Sequence, residues 1–328
     1  MCVSKIANLV LLHPRRSSNH NRKMLKTKFN YRKFAALAIL PAVMLTACGG
    51  SGDNKGNENQ IDTTLSGTLD KKTSMLNAVD SLLALIPKPS TVPNIIARTG
   101  AEYRSSLLCD GKAADRAVGN SSATAFCLGA FGADIAYMAA YDKGKDAVAS
   151  FVSGKKMADR IGVSSAFDAD MLESVERNLS NKDSLILLTD ATLKKSSDLL
   201  KSGEQAKDAA LLSAGAVIEG LYITGGLIRE YPPTGLPKAE QDKILIPLYK
   251  TIIDQEASVN SLISLLEKTG EDPEATKLLG MLKELSGIYK KGDWANKVAS
   301  NKGGFSPSYS ELSDLDGAVG KIRKAMIP

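Results

Sequence analysis

"LSAGAVIEGLYITGG" (Leu212–Gly226) consists of apolar and small residues around one carboxylate, Glu219. Its apolar residues recur at three- and four-residue spacing, which predicts a helix. Gly and Ala at 214, 215, 216, 220, 225 and 226 cost helix propensity. What they permit is close approach of a neighbouring backbone. Such a helix belongs inside an all-α core, so the acid at its centre needs explaining. The expected helix runs from about Glu204 to Glu230 and is ended by "YPPTGLP", because proline cannot continue a helix.

A second stretch reads in the same way. "LGAFGADIAYMAAY" (Leu128–Tyr141) lies over Ser213–Gly226 without gaps at an offset of 85 residues. Each copy places an acid three residues before a tyrosine, Asp134 with Tyr137 and Glu219 with Tyr222. That spacing puts acid and phenol on one helix face. Two copies suggest a duplicated set of helical hairpins with the two small-residue helices at the centre.

The rest of the chain is helical by the same periodicity, with no convincing alternating strand. Helices are expected over about 69–85, 93–108, 122–141, 145–160, 167–180 and 183–201. After the Leu212–Gly226 helix come a long one over 238–268, with Pro247 as a kink or break, another from Asp272–Pro273, and a last one from the capping box Ser308–Glu311 to Met326. This predicts about ten helices in one domain over 67–328, arranged as a bundle or as an array of helical hairpins resembling tetratricopeptide repeats. The length is ample for one large core.

The front of the chain is an address. Residues 1–47 carry nine Lys or Arg and no acid, and end in the 14-residue apolar run "FAALAILPAVMLTA". A basic region, a short apolar run and small residues at the cut make a secretory signal; a spanning helix needs about 20 apolar residues. Met24 offers an alternative start that gives a signal of more usual length. "LTAC" (Leu45–Cys48) resembles the lipobox of bacterial lipoproteins, which implies cleavage before Cys48 and lipidation there. The alternative is an ordinary signal peptide beside a chance cysteine. The Gly/Asn-rich stretch from Cys48 to about residue 66 reads as a flexible tether.

Removing residues 1–47 takes nine of the 42 Lys and Arg, leaving 33 against 36 Asp and Glu. The net charge then falls from +6 to about −3. The basic character belongs to the address, and no nucleic-acid partner is expected.

Both histidines, His13 and His20, lie in that segment. The remainder has no Ser-His-Asp or Cys-His group and no His-ligated metal. No cofactor or metal is expected. Cys109 and Cys127 have two readings: a disulfide closing a loop of about 17 residues, worth roughly 3 kcal/mol, or two buried thiols. Asp134 and Glu219 have two buried readings, beside exposure on a solvated face. Either they are satisfied core groups that fix helix packing, or they face one cavity with Tyr137, Tyr141, Tyr222 and an arginine and bind a small ligand. Arg104, Arg160 and Arg229 are the candidate cations, with Arg104 placed in the site.

Leu128–Tyr141 and the Gly215, Glu219, Leu221, Tyr222 pattern resemble a group of all-helical lipoproteins widespread in Bacteroidetes-type bacteria. The likeness covers about 100 residues, Leu128 to Gly226. It implies a helical fold and an outer-membrane location facing the periplasm, and brings no reaction. The Cys109/Cys127 pair departs from the group. The expectation is a membrane-anchored, non-catalytic binding or scaffold protein for another envelope protein. A carrier of a small or lipid-like ligand, held between helices 122–141 and 204–230, is the first alternative. A carboxylate-based hydrolase is the second.

Overall fold

The computed structural model describes the backbone of residues 61–328, apart from 118, 204, 232–236, 270–271 and 301–306, and side chains from residue 73 onward. The signal segment, Cys48 and the tether up to residue 60 lie outside the described residues. The described residues from 61 onward form one compact unit.

Thirteen α-helical segments and two short 3-10 turns account for the described secondary structure, and no strand occurs among the described residues. In chain order they are α1 (Ile61–Ala84), α2 (Thr91–Arg98), α3 (Ala113–Arg116), α4 (Ser121–Ala140), α5 (Gly144–Arg160), α6 (Ala169–Arg177) and α7 (Lys182–Ser202). Then follow α8 (Ala206–Arg229), α9 (Lys238–Asp254), α10 (Glu256–Lys268), α11 (Pro273–Gly292), α12 (Trp294–Ser300) and α13 (Tyr309–Met326). The all-α expectation is met.

The helix starts follow local chemistry. Asn120, Asp168, Asn181 and Asp272 each accept a backbone N–H in the first turn of α4, α6, α7 and α11. Such caps are worth about 1 kcal/mol each. The Ser308–Glu311 capping box forms at α13.

At the centre, α4 and α8 pack side by side and run in the same direction, with Asp208 reaching Ser122 at one end. Their glycines set the distance. A Cβ on Gly129 would fall 1.8 Å from the Leu212 carbonyl oxygen, and one on Gly215 would fall 1.9 Å from that of Phe126. The contact is reciprocal. Gly129 faces Leu212 and Ala216 as Gly215 faces Phe126 and Ala130, a spacing of 86 residues throughout. The echo aligned at 85 is therefore one residue out of step with the packing symmetry. Both helices are long and apolar enough to cross a membrane, yet they are 94% and 89% buried inside the protein. They are the core.

The other helices surround this pair. Helices α2, α5, α7 and α13 touch α4, while α1, α7, α9, α10 and α13 touch α8. Helices separated by three others in sequence make the central contact, so the architecture is a bundle. It is not a row of hairpins that meet only their neighbours.

Several expected boundaries are corrected. Helix α1 begins at Ile61, inside the stretch read as tether. Helix α2 stops at Arg98 rather than near Leu108, where Gly100 takes φ +80°. From there to residue 112 the chain is mostly irregular. The long helix over 238–268 is interrupted at Gln255, while Pro247 sits inside α9. The cause is tertiary: the Tyr289 hydroxyl donates to the Ile252 carbonyl at 2.8 Å, and Gln255 N–H reaches that same carbonyl in a tightened turn. Helix α12 was not anticipated; it follows Asp293, which adopts φ +50°.

Candidate functional site: a sealed carboxylate pair that holds a loop

Asp134 of α4 and Glu219 of α8 do meet. One carboxylate oxygen from each, together with the Cys109 sulfur, lie within 4.8 Å of one another. Glu219 is 0% exposed and Asp134 2%. The partner of Glu219 is none of the three candidate cations. Arg323, from α13, grips it with two hydrogen bonds, Nε to Oε2 at 2.7 Å and Nη2 to Oε1 at 2.9 Å. This bidentate geometry is the strongest ion pairing a guanidinium offers. Its carbon Cζ also lies 4.0 Å from the centre of the Tyr222 ring, a cation–π contact.

The other α4 side chains act on the irregular segment after α2. Asp134 Oδ2 accepts the Cys109 N–H at 2.9 Å, and the Tyr137 hydroxyl oxygen accepts the Arg104 N–H at 2.9 Å. The Tyr141 hydroxyl donates to the Ala101 carbonyl at 2.7 Å, and Arg323 Nη2 donates to the Leu107 carbonyl at 3.2 Å. A non-helical segment against a core leaves backbone groups that require partners. Four side chains from α4 and α13 supply them. Tyr103, Tyr137 and Tyr141 also cluster, with ring centroids 5.0–5.6 Å apart. The acid-then-tyrosine spacing therefore encodes a clamp on residues 101–109.

Electrostatics follow burial. Desolvation raises the Asp134 carboxyl well above its usual range, and the adjacent Glu219 charge pushes it further. Burial raises Glu219 too, but the Arg323 hydrogen bonds and charge oppose the rise. Burial also lifts the Cys109 thiol well above normal, reinforced by Asp134 and Glu219, and lifts Cys127 to about 12. Burial thus biases both carboxyls toward protonation, and the Arg323 guanidinium opposes that bias at Glu219. Asp134 Oδ1 has no hydrogen-bond partner among the described residues. An unpartnered oxygen costs far less on a neutral carboxyl than on a buried carboxylate.

The expected Cys109–Cys127 disulfide is not formed: both are free thiols. The Cys109 sulfur accepts from Arg323 Nη2 at 3.5 Å, while the Cys127 sulfur lies 4.0 Å from the Met326 carbonyl oxygen. The two sulfurs have separate partners. Of the candidate cations, Arg104 pairs with the exposed Glu102, Arg160 donates to the Ala114 carbonyl, and Arg229 meets Asp316 at 2.6 Å.

Sequence reasoning missed Arg323 and Asp316, which lie on one face of α13. They make a crossed pair of salt bridges with α8, Glu219 to Arg323 and Arg229 to Asp316. The available signal was two charges inside an apolar stripe, Leu312, Leu315, Val319, Ile322 and Met326.

Two chemistries can be weighed here. One thiol and two carboxylates are a plausible cation-binding set, but the guanidinium already supplies the positive charge and fills the Glu219 lone pairs. Carboxylate hydrolysis needs water and a substrate between the acids, and both are sealed. At Gly129 and Gly215 the α4 and α8 backbones meet directly. A groove of about 590 Å³ opens instead on the other flank of α8, between α1 and α7.

These features define an all-α bundle with a buried polar centre. No known protein family, curated protein or solved structure matches the chain.

Proposed function

We propose that this protein is an envelope lipoprotein, anchored through acylated Cys48 and facing the periplasm from the outer membrane, that works by binding another envelope protein and not by catalysis. One observation carries the non-catalytic half: Glu219 is fully buried and locked by Arg323. The remaining chemistry-bearing side chains of that centre are committed to the 101–109 backbone. With no histidine after residue 47, no other general base of the usual kind is at hand. The anchoring half rests on the basic, acid-free leader, the short apolar run and the "LTAC" box. Attached acyl chains contribute about 0.8 kcal/mol per buried methylene, and more than one chain gives stable anchoring.

The test is metabolic labelling with radioactive palmitate in a Gram-negative host. The wild-type chain should carry label and sediment with membranes, and Cys48→Ala should lose the label. An unlabelled wild-type chain, or an intact N-terminus upstream of residue 48, overturns the anchor. Turnover that is lost in a folded Glu219→Gln variant overturns the non-catalytic reading.

A further inference from the structure

Residues 101–109 roof the acid pair, and they are its lightest wall. The stretch contains no regular structure beyond the single turn Ser105–Leu107. At either end stands a glycine in open space, Gly100 with φ +80° and Gly111. Its buried side chains are Ala101 and Leu107, the latter seated where a Cβ on Gly226 of α8 would have to go. The remaining walls are heavier. Helices α4 and α8 meet backbone to backbone, and α13 docks through Leu312, Leu315, Val319, Ile322 and Met326, all buried.

Charge makes this wall conditional. Beneath it Asp134, Glu219 and the Cys109 sulfur lie within 4.8 Å of one another, served by the Arg323 guanidinium. The Tyr103 phenol, in the stretch itself, also feels the Asp134 charge. Elsewhere on α8 and α13 the buried acids have partners of their own, Asp208 with Ser122 and Lys207, and Asp316 with Arg229. The other helices packed on α4, namely α2, α3, α5, α7 and α11, hold no buried charge among the described residues. With one proton on the two carboxyls, their charge balances Arg323. With none, a negative charge is left over in a sealed site, and it is costly until water reaches it.

Water can enter only where a wall yields, and the stretch yields first. Tyr137, Tyr141 and Arg323 hold Arg104, Ala101 and Leu107 through groups that keep their protons in the neutral range. The bond from the Cys109 N–H goes instead to Asp134, which can change charge. Asp134 Oδ1, unpartnered among the described residues, gains most from hydration. We propose that residues 101–109 form a strap that stays closed while Asp134 and Glu219 hold one proton between them. When both are ionised the strap lifts as a local unit, the proton having passed to solvent, and opens the acid pair and the Cys109 thiol to water. The Cys109 N–H favours an ionised Asp134, but burial and the Glu219 charge raise it more strongly in the closed state. Opening therefore releases a proton and grows as pH rises, by about tenfold per unit for one proton. The strap goes beyond the anchoring and non-catalytic readings and depends on neither.

Native-state hydrogen exchange of the full chain in detergent micelles, read by mass spectrometry, tests this from about pH 4 up to the pH at which the helices unfold. Rates are corrected for base catalysis of exchange itself, and each pH is repeated with urea below the unfolding transition. Local opening exposes little surface and is nearly insensitive to urea, whereas global unfolding is not. Peptides covering 101–109 should exchange through a urea-insensitive opening that becomes about tenfold more populated per pH unit and then levels off. Peptides from α4 should exchange only through the urea-sensitive route. Asp134→Asn should flatten the pH slope of the strap, and Glu219→Gln should weaken it. Tyr137→Phe removes the acceptor for the Arg104 N–H, so it should raise strap exchange at every pH and leave the slope unchanged. Strap exchange as urea-sensitive as that of α4, a flat pH profile in the wild type, or an undiminished slope in folded Asp134→Asn would each overturn the proposal. The first two are read on the unaltered chain and hold whether or not a variant folds.

Discussion

Replacing Arg323 with methionine removes the guanidinium that pairs with Glu219 while keeping an unbranched apolar stem against Tyr222. The two hydrogen bonds at 2.7 and 2.9 Å disappear, and a carboxylate of 0% exposure is left without a counter-charge. Breaking a buried pair from one side costs about 3–5 kcal/mol, because the surviving charge is stranded. The Leu107 carbonyl also loses a donor, about 1 kcal/mol more. At 2–4 °C per kcal/mol for a domain of this size, the midpoint should fall by roughly 8–24 °C. The decisive assay is a double-mutant cycle by urea unfolding, with Arg323→Met, Glu219→Gln and both together. If the penalty is a stranded charge, neutralising Glu219 should recover at least about 2 kcal/mol of it. Strict additivity, or an Arg323→Met cost below about 1 kcal/mol, would refute the reasoning and make the ion pair incidental.

Other consequences are equally open to measurement. Gly215→Ala places a methyl group 1.9 Å from the Phe126 carbonyl oxygen, so α4 and α8 must separate. A loss of about 3 kcal/mol or more is expected in chemical denaturation, whereas Gly280→Ala, with nothing within 4 Å, should gain up to about 1 kcal/mol. Because burial raises Asp134 above its unfolded value of 3.8, the native state binds the extra proton. Stability then falls as pH rises from about 4 toward the raised folded value. Asp134→Asn keeps an acceptor for the Cys109 N–H and removes that titration, so its urea midpoint should gain on the wild type progressively as the pH rises above about 4. Alkylation of the unreduced, denatured chain should modify both Cys109 and Cys127; in the native state Cys127, at 0% exposure, should react far more slowly than when unfolded.

The helical character was legible because it is local. Asp272 followed by Pro273 and the Ser308–Glu311 pair announce starts that need no tertiary context, and both occur where expected. The small-residue faces of Gly129 and Gly215 likewise announced close packing. What escaped was decided at a distance. The interruption at Gln255 comes from a hydroxyl 37 positions along the chain, Tyr289 on Ile252. Arg323, in the last turn of α13, reads in isolation as a cation suited to the helix dipole. Its real partner is 104 positions away. The loop after Gly100 was misread because apolar Leu107 and Leu108 continue a helical rhythm, while the groups that hold the backbone out of a helix sit on α4.

The late position of α13 bears on the order in which the molecule can assemble. Until that segment docks, the central pair holds an acid with no counterpart, and the least costly place for Glu219 is water. Docking of α13 brings the Arg323 guanidinium to that acid, so the central pair and a helix distant in sequence are stabilised together.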